Sequence, residues 1–233
     1  MLNEPLKAVV YFIQAENIRR LDPKIAAEVS QKIENQGAIL LMRHGEQTPP
    51  AASLPPAQLK IAMMRAPENR AAPATEASLA EFLSTVSILS SFGKEISIEC
   101  SSNLRALQPA QLLSELTQQP LEPRPLWDCI DYLPESSAPN LIQLLPEGTL
   151  PWKEPLVDAA AGPGAFRNIL ESVSREIVPP PHPRLRIVIT HTQQIQAACQ
   201  LLGLPLARLG HYGFILILPN QALVYPNGFY AAN

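Results

Sequence analysis

Two histidines and two arginines stand where an α/β protein would do chemistry. His44 follows the apolar run Ala38–Met42 and Arg43, and His191 closes the run Arg186-Ile187-Val188-Ile189-Thr190. Arg105 lies just past the apolar stretch Ile96–Cys100, where a helix would begin. An apolar run that stops at Arg-His-Gly reads as a buried strand delivering polar side chains to its C-terminal edge. Open α/β sheets keep their ligands at that edge. The chemistry such a set suits is phosphoryl transfer, in which charge spreads over three equatorial oxygens while nucleophile and leaving group stay in line. A neutral imidazole, with a reference pKa of about 6.5, is an available covalent nucleophile near neutral pH. Guanidinium forks grip phosphate oxygens in pairs, which an ammonium cannot copy.

The elements that must position these residues alternate strand and helix. Ala8–Gln14 reads as a strand. Asp22 as N-cap and Pro23 at the first helical position open a helix through about Asn35, with Ile25, Ala26, Val29 and Ile33 on one face and Gly37 as its stop. After the strand ending at Arg43 come a proline-rich loop, Gln47–Pro56, and a short amphipathic helix, Ala57–Arg65. Thr75, Glu76 and Ser78 begin a long helix carrying Leu79, Phe82, Leu83, Val86 and Leu89, which stops at Phe92-Gly93. The strand Ile96–Cys100 leads to a helix capped by Asn103 and running to about Thr117. Residues 120–162 read as irregular and lid-like. Gly164–Ile177 is helical, Arg186–Thr190 a buried strand, and Gln193–Leu202 a helix ending at Gly203. Phe214–Leu218 and Ala222–Tyr225 form a hairpin around Pro219-Asn220-Gln221. This order predicts a three-layer α/β/α fold whose central sheet is mostly parallel and ends in a C-terminal antiparallel hairpin.

Arg43-His44-Gly45-Glu46 after a hydrophobic strand resembles the signature of the histidine phosphatase superfamily, the phosphoglycerate mutase-like proteins. Two further blocks resemble it in the same order: Ile96 to Ala106, a strand running through Ser101-Ser102 to Arg105, and Arg186 to His191. The resemblance spans about Ile39 to Val224, so residues 1–37 are expected as an N-terminal extension packed on a domain of residues 38–233. It implies a metal-independent hydrolase needing no cofactor: a phosphatase acting through a phosphohistidine intermediate on His44, with Arg43, Arg105 and His191 binding the phosphoryl group. It also implies an acid for the leaving alkoxide. Asp131 is the expected donor and Asp128 the second choice, in a segment that lacks the glycine-containing pattern of the family. Thr192 stands where many relatives carry glycine. The implied partner is a small phosphorylated substrate or a phosphoprotein, with phosphate or vanadate as an active-site ligand. Two alternatives stay open: a protein-phosphohistidine phosphatase, whose nitrogen leaving group needs less acid, and a non-catalytic phosphate-binding module on the same fold.

Bulk composition agrees with an enzyme of one domain. The chain has 233 residues, 46% hydrophobic and 17% charged, enough for one substantial core and too apolar for disorder. A net charge of −3 with no basic cluster argues against nucleic acid and anionic membrane surfaces as partners. Cys100, Cys129 and Cys199 are odd in number and widely spaced, which predicts a reduced, cytoplasmic chain with buried thiols. The 25 prolines cluster between the predicted elements and so punctuate loops. His182 and His211 match no family position, although His211 could line the pocket. Arg65, Arg70 and Arg124 read as surface charges that could meet a second anionic group. Substrate and oligomeric state are not encoded in any motif we recognise.

Overall fold

A computed structural model of the chain describes residues 9–12, 23–48, 71–89, 95–128, 158, 162–178, 184–204, 209–219 and 221–225. Asp131, Cys129, His182, Arg65, Arg70 and the expected helix Ala57–Arg65 lie outside them. The elements are β1 (Val9–Phe12), α1 (Pro23–Gln36), β2 (Ala38–Arg43), α2 (Glu76–Leu89), β3 (Ile96–Cys100), α3 (Leu104–Thr117) and β4 (Leu121–Pro123). They continue with α4 (Ala165–Glu176), β5 (Leu185–Thr190), α5 (Thr192–Leu201), β6 (Phe214–Leu218) and β7 (Gln221–Tyr225).

The strands form one sheet in the order β1-β7-β6-β2-β5-β3-β4. All neighbours pair parallel except β6, which runs antiparallel to both β2 and β7. The expected hairpin is therefore present, and its first strand alone opposes the rest. Strand β4 was read from sequence as irregular; its three residues pair with β3, and a strand that short with two prolines around it has no periodicity to detect.

Central strands read as continuous apolar runs because both their faces are buried. On β2, Ala38, Leu40 and Met42 join a core with Val29 and Ile33 of α1, Phe82 of α2, and Ala106, Ala110 and Leu113 of α3. Ile39 and Leu41 point the other way, into a core with Val173 of α4 and Ile195, Ala198 and Cys199 of α5. The period-2 alternation thus divides one apolar run between two cores and fixes three layers. A one-residue slip of β2 would exchange the two sets and leave Arg43 off the sheet edge.

The start of the chain joins this fold directly. β1 pairs parallel with β7, with Val9 opposite Gln221. Helix α1 stops where Gly37 adopts φ 71° and its amide donates to the Ile33 carbonyl at 2.9 Å. One local expectation is corrected at α3. Asn103 occupies the N-cap position with extended backbone, but its side chain makes no capping hydrogen bond. That side chain is fully buried, and both its polar atoms lack a protein partner.

Candidate active site

Strands β2, β5 and β3 lie side by side and run in the same direction, so their C-terminal ends bring the chemistry together. Register does the placing. Arg43 pairs with Thr190, the His44 amide donates to the Thr190 carbonyl at 2.9 Å, and the Ser101 amide donates to the Ile189 carbonyl at 2.9 Å. The next residue of β5 is His191, whose ring centroid stands 4.8 Å from that of His44. Arg105, on the first turn of α3, reaches both rings: its Nε donates to His44 Nε2 at 3.4 Å, and its Nη2 lies 3.2 Å from His191 Nδ1. Arg105 and His191 are buried, and His44 is the most open of the three at 9% exposure.

Elementary donor counting assigns the tautomers. His44 Nδ1 lies 2.6 Å from the Gly45 carbonyl. A carbonyl only accepts, so Nδ1 carries the proton and Nε2 keeps its lone pair. Burial, then the charges of Arg105, His191 and Arg43, hold His44 well below its ordinary pKa, with the Gly45 carbonyl pulling the other way. Burial followed by Arg105 and Arg43 does the same for His191. Both rings are therefore neutral at neutral pH.

The turn at 209–213, which carries His211, completes one wall. Arg43 holds it at three points: Nη1 donates to the Leu209 carbonyl at 2.6 Å, the amide donates to the Gly213 carbonyl at 2.9 Å, and the Arg43 carbonyl accepts from the Tyr212 amide at 3.1 Å. Tyr212 adopts φ 56°, a left-handed turn that brings the His211 ring to 6.2 Å from His44. The Tyr212 side chain turns inward, where the Ser78 hydroxyl donates to its oxygen at 3.2 Å; burial pushes the Tyr212 pKa up to about 12. This packing explains Gly45. A Cβ there would sit 2.1 Å from the Tyr212 oxygen and 2.5 Å from Ser78 Oγ, so close approach of these side chains, rather than of a ligand, excludes any other residue.

Asp128 reaches the site through its neighbours. Its Oδ1 accepts from Ser101 Oγ at 2.9 Å and from the Ser102 amide at 2.6 Å, and its Oδ2 accepts from Ser102 Oγ at 2.7 Å. Ser101 Oγ in turn lies 2.8 Å from His191 Nε2. Beneath Asp128, fully buried Trp127 donates its indole N–H to Glu99 at 2.8 Å and its carbonyl accepts from Thr190 Oγ1 at 2.9 Å. Arg124, expected as a surface charge or a second anion contact, instead forms ion pairs with Glu99 and Glu176 at 3.0 and 2.9 Å. Ser101 and Glu99 lie within a recognised block but carried no expected role, because neither residue type signals chemistry without its spatial partner. Thr192 opens α5 directly after His191.

Among the described residues no group of three His, Cys, Asp or Glu side chains is placed to hold a metal ion, and no helix is long and apolar enough to cross a membrane. No protein-family model matches the chain, and no curated protein sequence matches it. Solved structures do. YhfR of Bacillus stearothermophilus superposes with a TM-score of 0.58 at 15% identity, covering 83% of this chain and 98% of its own. The alpha-ribazole phosphatase of Shigella flexneri superposes with a TM-score of 0.51 at 16% identity, covering 84% of this chain and 100% of its own. Both are members of the histidine phosphatase superfamily. The chain has the histidine phosphatase fold. Within that fold, its Arg43-His44, Arg105 and His191 stand together at the C-terminal ends of β2 and β5 and the first turn of α3.

Proposed function

We propose that this chain is a phosphatase that transfers the phosphoryl group of a phosphomonoester to His44 and then to water. The observation that carries the reading is the fixed tautomer of His44: the Nδ1 proton is engaged by the Gly45 carbonyl, and Nε2 faces the guanidinium of Arg105. A lone pair directed at a cationic pocket is what in-line attack on a phosphate requires. The phosphatase among the solved neighbours agrees with this class of activity.

In the first step Nε2 attacks phosphorus, the P–O bond to the leaving group breaks, and the leaving oxygen takes a proton. Arg43, Arg105 and His191 hold the three equatorial oxygens, where charge must be offset in the transition state. In the second step water attacks phosphorus, the N–P bond breaks and inorganic phosphate leaves. The proton for the leaving group comes from Asp131, with Asp128 as the second candidate. Cations supplied by side chains do the work here, so the reaction runs without a metal or cofactor. Cys100 and Cys199, buried and outside any disulfide, support a reduced, cytoplasmic setting.

The test is hydrolysis of 4-nitrophenyl phosphate by wild type and His44→Ala, from about pH 5 to 8, with and without a chelator. Wild type turns over regardless of chelation, and the variant loses at least about a thousandfold in kcat. Equal turnover by both proteins overturns the reading. A wild type that binds phosphate but never turns over marks a phosphate-binding module instead.

A further inference from the structure

The steps of hydrolysis through His44 assign no role to Ser101, which links Asp128 to His191. Ser101 Oγ lies 2.9 Å from Asp128 Oδ1 and 2.8 Å from His191 Nε2. A hydroxyl has one proton to give. The carboxylate can only accept, so Ser101 donates to Asp128 and accepts from His191 Nε2–H. On the far side of the ring, Arg105 Nη2 donates to Nδ1 at 3.2 Å. In this arrangement His191 is therefore a neutral ring protonated on Nε2.

The arrangement is rigid. Ser101 and His191 are almost fully buried, so water does not replace either partner. Asp128 is pinned by Ser102 at 2.6 and 2.7 Å, and Gln194 Nε2 donates to its backbone carbonyl at 2.5 Å. Three hydrogen bonds from Ser101 and Ser102 keep the carboxylate facing Ser101.

An anion between the two arginines and the two rings reverses what Nδ1 faces. Its former neighbour was a donor, and a phosphate oxygen is an acceptor. With Nε2–H still held by Ser101, the ring can donate at both ends only as an imidazolium. Resting on the phosphate site proposed above, we infer that His191 takes up a proton from solvent when a dianion binds, and that Asp128, acting through Ser101, is the countercharge that keeps it there. The groups facing His191 are Arg105 from α3, Arg43 and His44 from the end of β2, and Asp128 through Ser101. Burial and the two arginines oppose charge on the ring; a bound dianion offsets both arginines. Asp128 is then a positioning residue, and protonation of the leaving group stays with Asp131.

Sulfate is the probe, because it carries no titratable proton from about pH 6 to 8. Calorimetric titration of sulfate in two buffers of different ionisation enthalpy counts the protons taken up, and nitrogen spectra of histidine-labelled protein locate them. Wild type takes up close to one proton per sulfate, with both His191 nitrogens protonated in the complex, and binds more tightly as pH falls. Ser101→Ala and Asp128→Asn take up almost none, bind about tenfold more weakly at the acid end and lose most of their pH dependence. Asp128→Asn preserves shape and can still accept from Ser101, so it separates charge from packing. Sulfate binding by wild type without proton uptake overturns the inference and leaves the phosphate site standing. So does a proton that lands on His44, or uptake unchanged in both variants. Failure of wild type to bind sulfate at all removes the phosphate site and this inference with it.

Discussion

Two arginine clusters flank strands β3 and β5, and their contacts differ in kind. At the strand ends, Arg105 hydrogen-bonds two imidazole nitrogens at 3.4 and 3.2 Å. At the start of β5, Arg186 meets Glu99 at 2.6 and 2.8 Å and Glu176 at 2.6 Å, while Arg124, just past β4, grips Glu176 with two bonds of 2.9 Å. Charge-assisted bonds are shorter and about twice as strong as bonds to neutral acceptors. Burial raises the Glu99 pKa, but Arg186, Trp127 and Arg124 outweigh it and hold the carboxyl below its ordinary value. Arg186 and Arg124 are committed to carboxylates and serve as structure. The imidazole nitrogens that Arg105 meets are neutral acceptors, which an incoming anion can displace. The charge of these acceptors separates them from the carboxylates that Arg186 and Arg124 grip.

The contrast can be broken from either end. Arg105→Lys removes the fork but keeps the charge, and it should lower kcat/KM for an aryl phosphate by about a thousandfold while the melting temperature barely moves. Glu99→Gln should do the reverse. It leaves Arg186 under-compensated in a buried setting and costs about 3 kcal/mol of stability, seen as a drop of roughly 10 °C in melting temperature, with most activity per folded molecule retained below the transition. If Glu99→Gln abolished turnover in folded protein, the two clusters would be one functional unit. The smallest effect is acid sensitivity. His44 and His191 have folded-state pKa values below their unfolded values, so the unfolded chain binds more protons and stability falls as pH drops below about 6.5. Each histidine should contribute about 1 kcal/mol of that loss near pH 5.5. Replacing both by glutamine should flatten the slope; an unchanged slope would place the titration elsewhere.

Much of the fold is legible in the sequence because each central strand is apolar on both faces and stops abruptly. The helices α1, α3, α4 and α5 fall within a residue or two of the pattern-based reading, since their stops are written in Gly37 and Gly203 and their faces in 3.6-residue spacing. The site is legible to the extent that its residues end those strands. Asn103 misled, because a residue preferred at N-caps was drawn instead into a buried, uncapped position. Arg124 misled because an isolated arginine between prolines gives no hint of Glu99 and Glu176, 25 and 52 residues away. Tyr212 escaped because a left-handed turn at a tyrosine follows no propensity rule, whereas His211, read as able to line the pocket, stands 6.2 Å from His44.

The sequence by itself determined the layering and which residues stand at strand ends, because alternation and strand length are local properties that every register must respect. Only the tertiary structure decided the charge state of what stands there. The lone pair of His44, the proton on His191 Nε2 and the acceptor role of Asp128 depend on hydrogen bonds to Gly45, Ser101 and Ser102, and most of those partners are set by how β2, β5, β3 and the turns beyond them meet in space. A donor's partner is a matter of distances within about 3 Å, and no spacing along a chain encodes distances of that kind.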